Sequence, residues 1–140
     1  MIVLDTNVVL EFMRDRPHQD VVVWLGSQAR STVFVTAITE AEIRTGVVLL
    51  PDGERRRRLA SLVERAFLVL LAGRILPFDS DAARAYAVIA EARRASGRPI
   101  SHPDCQIAAI ARSRGASVAT RDVDGFQGCG IDVIDPWVGV

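Results

Sequence analysis

The chain has 140 residues, 49% hydrophobic but only 6% aromatic, and its 17 basic residues balance 17 acidic ones. That length suits a single domain spanning 1–140 with one substantial core, and zero net charge excludes a generally basic nucleic-acid binder while allowing a local basic patch. No run approaches the roughly 18 to 20 apolar residues of a membrane span, and the short apolar start lacks the flank and length of a signal peptide, so a cytoplasmic protein without membrane contact is expected.

The first apolar run is Ile2, Val3 and Leu4, which reads as a buried parallel strand with Asp5 at its carboxyl end. A helix is expected over 7–13 and a second over 20–28, with Val21, Trp24 and Leu25 at helical spacing. Val33, Phe34 and Val35 form the second strand, Thr36 ends it as a helix cap, and the next helix runs over 37–49, closed by Pro51 and Gly53. Over 54–72, Leu59, Leu62, Val63, Ala66, Phe67 and Leu70 recur at three and four residues, an amphipathic helix. Ile75, Leu76 and Phe78 make a third strand, and Pro77 within it argues for an edge position. Asp79 or Ser80 caps a helix over 81–95 with Ala82, Ala85, Tyr86, Ile89 and Ala92 inward, and Ser101 caps another that ends at Gly115. A fourth strand begins at Val118 and Ala119 and runs into Thr120, Arg121 and Asp122, and 131–134 give a fifth. Strands alternating with helices imply βαβ units, hence an α/β fold with a mostly parallel sheet.

All 17 basic residues are arginine, which rules out a P-loop nucleotide site, because that site needs a lysine on the β- and γ-phosphates. Cys105 and Cys129 are too few and too differently placed for a disulfide scaffold or thiolate metal site, and read as packing residues.

Four acids stand out. Asp5 lies where open α/β sheets bind ligands, although Asp is also a favoured helix cap. Glu40 and Glu42 are about 200° apart around a helix, so only one can serve a given face. Glu40 has Arg44 four residues on, a surface pair, whereas Glu42 has Gly46 and is an unpaired acid in a helix interior if that helix begins after Thr36. The structural alternative is a capping box between Thr39 and Glu42. Asp104 follows Ser101 in a first helical turn, where an acid also favours the helix dipole. Asp122 follows its strand as Asp5 does, with a turn role before Gly125 as the alternative.

A parallel sheet would bring these four to its carboxyl edge, where clustered carboxylates raise one another's pKa unless a cation sits among them. Oxygen-only ligands with no His or Cys cluster nearby suit a hard ion, Mg²⁺ or Mn²⁺, and such a site suits phosphodiester hydrolysis. His102 adjoins Asp104 and could serve as ligand or base, while Pro103 and the helix cap favour a solvent-facing loop residue. Arg55, Arg56, Arg57 and Arg58 are either phosphate contacts or a solvated helix face.

The segments VLDTNVVLEF, TAITEAEIRTG, PISHPDCQIAAIAR, VATRDVDGF and GCGIDVIDPW, in this order and spacing, resemble the PIN-domain ribonucleases, specifically the VapC-type toxins of bacterial toxin–antitoxin pairs. The resemblance covers nearly the whole chain. It implies an α/β/α sandwich with a central, mostly parallel five-stranded sheet and an acidic Mg²⁺ or Mn²⁺ site that cleaves RNA. By position it implies that Asp5, Glu42, Asp104 and Asp122 are the catalytic and metal-binding acids, with Thr6, Thr120 and Asp124 auxiliary. It further implies a homodimer and a VapB-like antitoxin whose tail blocks the site, with DNA contacted only through that antitoxin. Relatives usually carry an acid directly before the Phe of the last motif, where this chain has Gly125, with Asp124 one residue earlier.

Two other classes share parts of this pattern. A receiver-like phospho-acceptor domain has a similar topology and an acidic Mg²⁺ pocket but uses a lysine, and none exists here. A PIN-like module could bind RNA or a partner without cleaving, against which the complete set of acids argues.

Overall fold

In the computed structural model, which describes residues 1–138, the first apolar run is strand β1, Ile2–Leu4, at the centre of the sheet. Val33–Thr36 (β2) and Ile75–Leu76 (β3) extend the sheet on one side, Ser117–Ala119 (β4) and Val133–Ile134 (β5) on the other, giving the order β3-β2-β1-β4-β5. Every pairing between them is parallel. Helices Thr6–Phe12 (α1) and Gln19–Gly26 (α2) connect β1 to β2. Ala37–Val48 (α3) and Glu54–Arg65 (α4) connect β2 to β3, and Ser80–Ala95 (α5) and His102–Ser113 (α6) connect β3 to β4. β3 is an edge strand, as Pro77 requires.

Because strand side chains alternate between faces, the two central strands feed two cores at once. Val3 and Val118 enter the core under α5 and α6, with Ile89, Ile107 and Ile110. Leu4 and Ala119 enter the other, with Val8, Trp24, Ile43, Val63 and Phe67 from α1 to α4 and the turn after it. Full burial of a side chain such as Ile89 or Phe67 is worth about 1.5–3 kcal/mol, so aliphatic residues suffice for both layers. Among the described residues no helix is long and apolar enough to cross a membrane.

The structure departs from the sequence expectations in three places. The helix expected over 54–72 ends as an α-helix at Arg65 and continues as one wider turn, Ala66–Leu70, closed by a 2.8 Å bond from the Leu71 N–H to the Ala66 carbonyl. The extra residue in that turn rotates the residues after it by about 100°, so Leu70, expected inward, is exposed together with Leu68 and Val69. Leu62 lies on the flank of the buried stripe and is exposed as well. In α5, Ala92 is exposed and its neighbour Arg93 is buried instead. The last two strands are shorter than expected: β5 holds two residues, and β4 ends at Ala119 because the Arg121 N–H leaves the ladder for the Asn7 side chain.

Cys105 and Cys129 are buried free thiols. Desolvation pushes the Cys105 thiol up to about 11 and raises Cys129 too, so both are inert packing groups.

Arg93 is 6% exposed, and no carboxylate among the described residues pairs with it. Its donors go to backbone instead: Nε to the Arg98 carbonyl at 2.6 Å, and Nη1 to the carbonyls of Gly125 at 2.7 Å and Gln127 at 3.0 Å. With Phe126 buried beneath it, this arginine pins the turn between β4 and β5 to α5. Arg93→Met preserves much of the stem but removes the donor that ties the Arg98, Gly125 and Gln127 carbonyls to α5. It is expected to lower the unfolding free energy by about 2–4 kcal/mol in urea denaturation, while Arg94→Met on the exposed side of the same helix changes it by less than about 0.5 kcal/mol.

Candidate active site at the carboxyl edge of the sheet

The order of the sheet reverses between β1 and β4, where open parallel sheets form their crevice. Leu4 pairs with Ala119, so the next residues, Asp5 and Thr120, meet side by side as the strands end. The Thr120 hydroxyl donates to Asp5 Oδ2 at 2.8 Å. The same hydroxyl oxygen accepts two further donors, Asn7 Nδ2 at 3.2 Å and the Asp122 N–H at 3.0 Å, which uses its capacity completely. Asp5 also caps α1 by accepting the Thr6 N–H at 2.8 Å, and takes a second bond from Asn7 Nδ2 at 3.2 Å. Capping and a ligand-binding role were alternatives in the sequence; Asp5 caps α1, and it does so from the carboxyl edge of the sheet.

Thr6 and Glu42 are joined across α1 and α3. α3 starts after Thr36, whose hydroxyl accepts the Thr39 N–H at 3.1 Å, so the capping box between Thr39 and Glu42 does not form and Glu42 lies inside the helix. Thr6 Oγ1 donates to Glu42 Oε1 at 2.8 Å and lies 3.1 Å from Thr39 Oγ1, which is then the donor of that pair. Glu40 points the other way and holds Arg44 at 2.8 Å. Asp104 occupies the first turn of α6, its N–H 3.4 Å from the Ser101 hydroxyl.

The electrostatics tie three of the acids together. Asp5 is 5% exposed, and its pKa is raised above the ordinary 3.8 chiefly by burial; the bonds from Thr120 and the Thr6 N–H oppose this, while the negative charges of Asp104 and Glu42 add to it. Asp122 is near but turned aside. Its Oδ1 accepts the Gly125 N–H at 3.2 Å, and a Cβ built on Gly125 would lie 2.3 Å from Asp122 Oδ2. The missing side chain at 125 therefore leaves the space in which the Asp122 carboxylate rests. Asp124 is exposed, and only its carbonyl is engaged, by Arg98 at 3.1 Å. Among the described residues no three carboxylate, imidazole or thiolate groups close on one point tightly enough to hold an ion by themselves.

Asn7 and Thr39 are site residues that the sequence reading passed over. Asn7 also accepts the Arg121 N–H at 3.2 Å and so bridges the ends of β1 and β4. Its signal was an amide in the first turn of a helix otherwise built from Val8, Val9 and Leu10.

A groove of about 670 Å³ leads away from Thr6, Asn7 and Glu42 between α1, α3 and α4, lined by Leu10, Val47 and Leu50 and rimmed by Arg55 and Arg58. Arg56 and Arg57 face Asp52 at 2.8 Å and Glu54 at 3.2 Å away from the groove, while Arg58 lines the groove and faces Asp15 at 3.4 Å, so three of the four arginines are paired and Arg55 and Arg58 are the two that reach the groove. His102 is exposed and joined through Nδ1 to the Tyr86 hydroxyl.

The PIN domain model matches residues 2–128. The VapC ribonuclease Y4jK of Sinorhizobium fredii is 44% identical over 137 residues, 98% of each chain. The toxin FitB of Neisseria gonorrhoeae is 43% identical over 137 residues, 98% of this chain and 99% of that one. The structure of FitAB bound to an IR36 DNA fragment contains a chain that superposes with a TM-score of 0.92 at 43% identity, covering 98% of this chain and 96% of that chain.

The raised pKa of Asp5 has a consequence for stability. A carboxyl that holds its proton more tightly when folded contributes stability at low pH, and that contribution is lost as pH rises from the ordinary value through the folded one. At neutral pH the whole cost of the buried charge is present, and Asp104 adds to it without a hydrogen bond from its own carboxylate to Asp5. Asp104→Asn is therefore expected to melt higher than wild type in chelator at neutral pH, with the difference shrinking as pH falls and Asp5 takes up its proton. A variant that melts lower would show that the charge of Asp104 serves the helix N-terminus rather than the cluster.

Proposed function

The chain belongs to the PIN-domain family, among the VapC-type ribonuclease toxins, and on that premise we propose that it is the toxin of a type II toxin–antitoxin pair, a metal-dependent endoribonuclease of the cytoplasm. The observation that carries this reading is the buried Asp5 at the strand-order reversal, its proton affinity raised by burial and by the acids Asp104 and Glu42.

The donor set fits Mg²⁺ or Mn²⁺: it offers carboxylate and hydroxyl oxygens only, and the mutual repulsion of the acids is what a cation would relieve. When bound, such an ion lowers the pKa of a water and neutralises charge on the phosphodiester. Asp5 and Asp104 are the principal ligands in this reading, with Asp122 able to join after releasing the Gly125 N–H. Glu42, its orientation set by the Thr6 hydroxyl, accepts a proton from the attacking water. The water oxygen forms a new bond to phosphorus as one P–O ester bond breaks, and the leaving oxygen takes up a proton from solvent to depart as an alcohol while Glu42 returns its own proton to solvent. Thr120 and Asn7 keep the Asp5 carboxylate from rotating while this occurs.

The groove rimmed by Arg55 and Arg58 serves two occupants in turn. A single RNA strand uses the arginines, and an antitoxin segment fills the apolar floor and obstructs Thr6 and Glu42. We assign the antitoxin to the VapB-like class, the toxin to a homodimer, and any DNA contact to the antitoxin, in keeping with the DNA-bound FitAB structure.

Cleavage of RNA is expected to stop in excess chelator and return with Mg²⁺ or Mn²⁺; full activity in chelator would overturn the metal assignment. Glu42→Gln should cost about 100-fold or more in rate, while Glu40→Gln, on the far face of α3, stays within about 3-fold. Arg55→Gln combined with Arg58→Gln should weaken RNA binding and flatten its salt dependence, whereas the Arg56→Gln, Arg57→Gln pair should not.

A further inference from the structure

Most of the arginines in this chain have N–H groups committed. Arg14, Arg44, Arg56, Arg57, Arg58, Arg84 and Arg114 face acids. Arg74, Arg93, Arg98 and Arg112 face backbone carbonyls. Arg121 differs. Its guanidinium carbon lies 5.2 Å from the centroid of the Trp137 ring, and among the described residues no carboxylate or carbonyl takes up its side-chain N–H groups. It is exposed, and it follows Thr120, the residue whose hydroxyl holds Asp5. Its own N–H donates to Asn7, the other side chain on Asp5, so its backbone is joined to the surroundings of Asp5 through the peptide bond to Thr120 and through Asn7.

A guanidinium lying over an aromatic ring by cation–π attraction loses much of its rotamer freedom but keeps its donors, which lie in its own plane and remain open to a phosphate in the two-pronged manner that lysine cannot match. Trp137 is itself held, its N–H bonded to Asp135 Oδ1 at 2.9 Å and its ring packed into the core that holds α1 and α2. The groove with Arg55 and Arg58 opens beside Thr6 and Glu42, between α1, α3 and α4, whereas Arg121 and Trp137 follow β4 and β5, which lie on the other side of β1 from β2 in the sheet order.

We propose that Arg121, held by Trp137, is a second phosphate site that grips the RNA strand on the opposite side of the scissile bond from the Arg55 and Arg58 groove. This rests on the ribonuclease reading above. Arg121 is then a substrate contact and Trp137 a positioning residue, and together they give the bound strand a path across the carboxyl edge with Asp5 at its middle.

The test is steady-state cleavage of a single-stranded RNA by the free toxin over a range of salt, with Arg94→Gln on α5 as the control that leaves the kinetics unchanged. Arg121→Gln is expected to raise KM about 10-fold with kcat within about 2-fold. It should also reduce the slope of log KM against log salt by about 0.7, the value of one single-strand phosphate contact. Arg121→Lys keeps the charge but loses the flat fork, so the slope is retained while KM still rises. Trp137→Leu likewise raises KM at an unchanged slope. Melting temperatures show that each variant is folded. An Arg121→Gln enzyme with wild-type KM and slope, or one that loses kcat at constant KM, overturns the phosphate site while leaving the ribonuclease reading intact. A wild-type protein that cleaves no RNA in the presence of Mg²⁺ or Mn²⁺ overturns both.

Discussion

The hydrogen bond from Thr120 to Asp5 is the contact on which the rest of the site depends. It exists because two parallel strands end together at the point where strand order reverses, so a carboxylate and a hydroxyl from residues far apart in the chain meet with no loop between them. A buried carboxylate is costly unless its lone pairs are used. Here Thr120, Asn7 and the Thr6 N–H use them, and the same three groups fix the orientation of the carboxylate. Desolvation and the nearby charges of Asp104 and Glu42 still leave Asp5 with a raised proton affinity. The carboxylate is thus held in one orientation by its donors while its charge remains costly.

The turn after β4 is supported from outside the site. Arg93 reaches it from α5 through the carbonyls of Gly125 and Gln127, and Phe126 anchors it in the core. Within that turn, Asp122 rests on the bare Cα of Gly125. Any side chain at this position would lie where the Asp122 carboxylate now rests, so glycine there sets the direction of that acid. Asp5 thus feels the charges of Asp104 and Glu42, while the Asp122 carboxylate is held by the Gly125 N–H.

Much of this was legible in the sequence. The first strand, the caps at Thr36 and Ser101, and the opposed faces of Glu40 and Glu42 follow from local spacing, and each is found where local chemistry puts it. What local spacing could not supply were facts of packing. Whether Asp122 points into the site or caps a turn is decided by the volume at residue 125, and whether Ala92 or Arg93 faces inward is decided by carbonyls of the distant turn at Gly125 and Gln127. Asn7 was invisible because an amide in a first helical turn has many uses, and only the pairing of β1 with β4 selects one.

The wide turn at Ala66–Leu70 carries a meaning beyond its exposed leucines. Strands have a period of two, so the number of residues between α4 and the sheet sets which face each side chain of β3 will occupy. Ile75 pairs with Val35 and Leu76 with Thr36, and Leu76 belongs to the core under α5 and α6. One residue fewer in the turn would restore an ordinary helix and draw that strand back a position, exchanging Ile75 and Leu76 between the layers. The turn therefore acts as a parity adjustment, in which a single inserted residue is absorbed by the helix and the edge of the sheet keeps its sidedness.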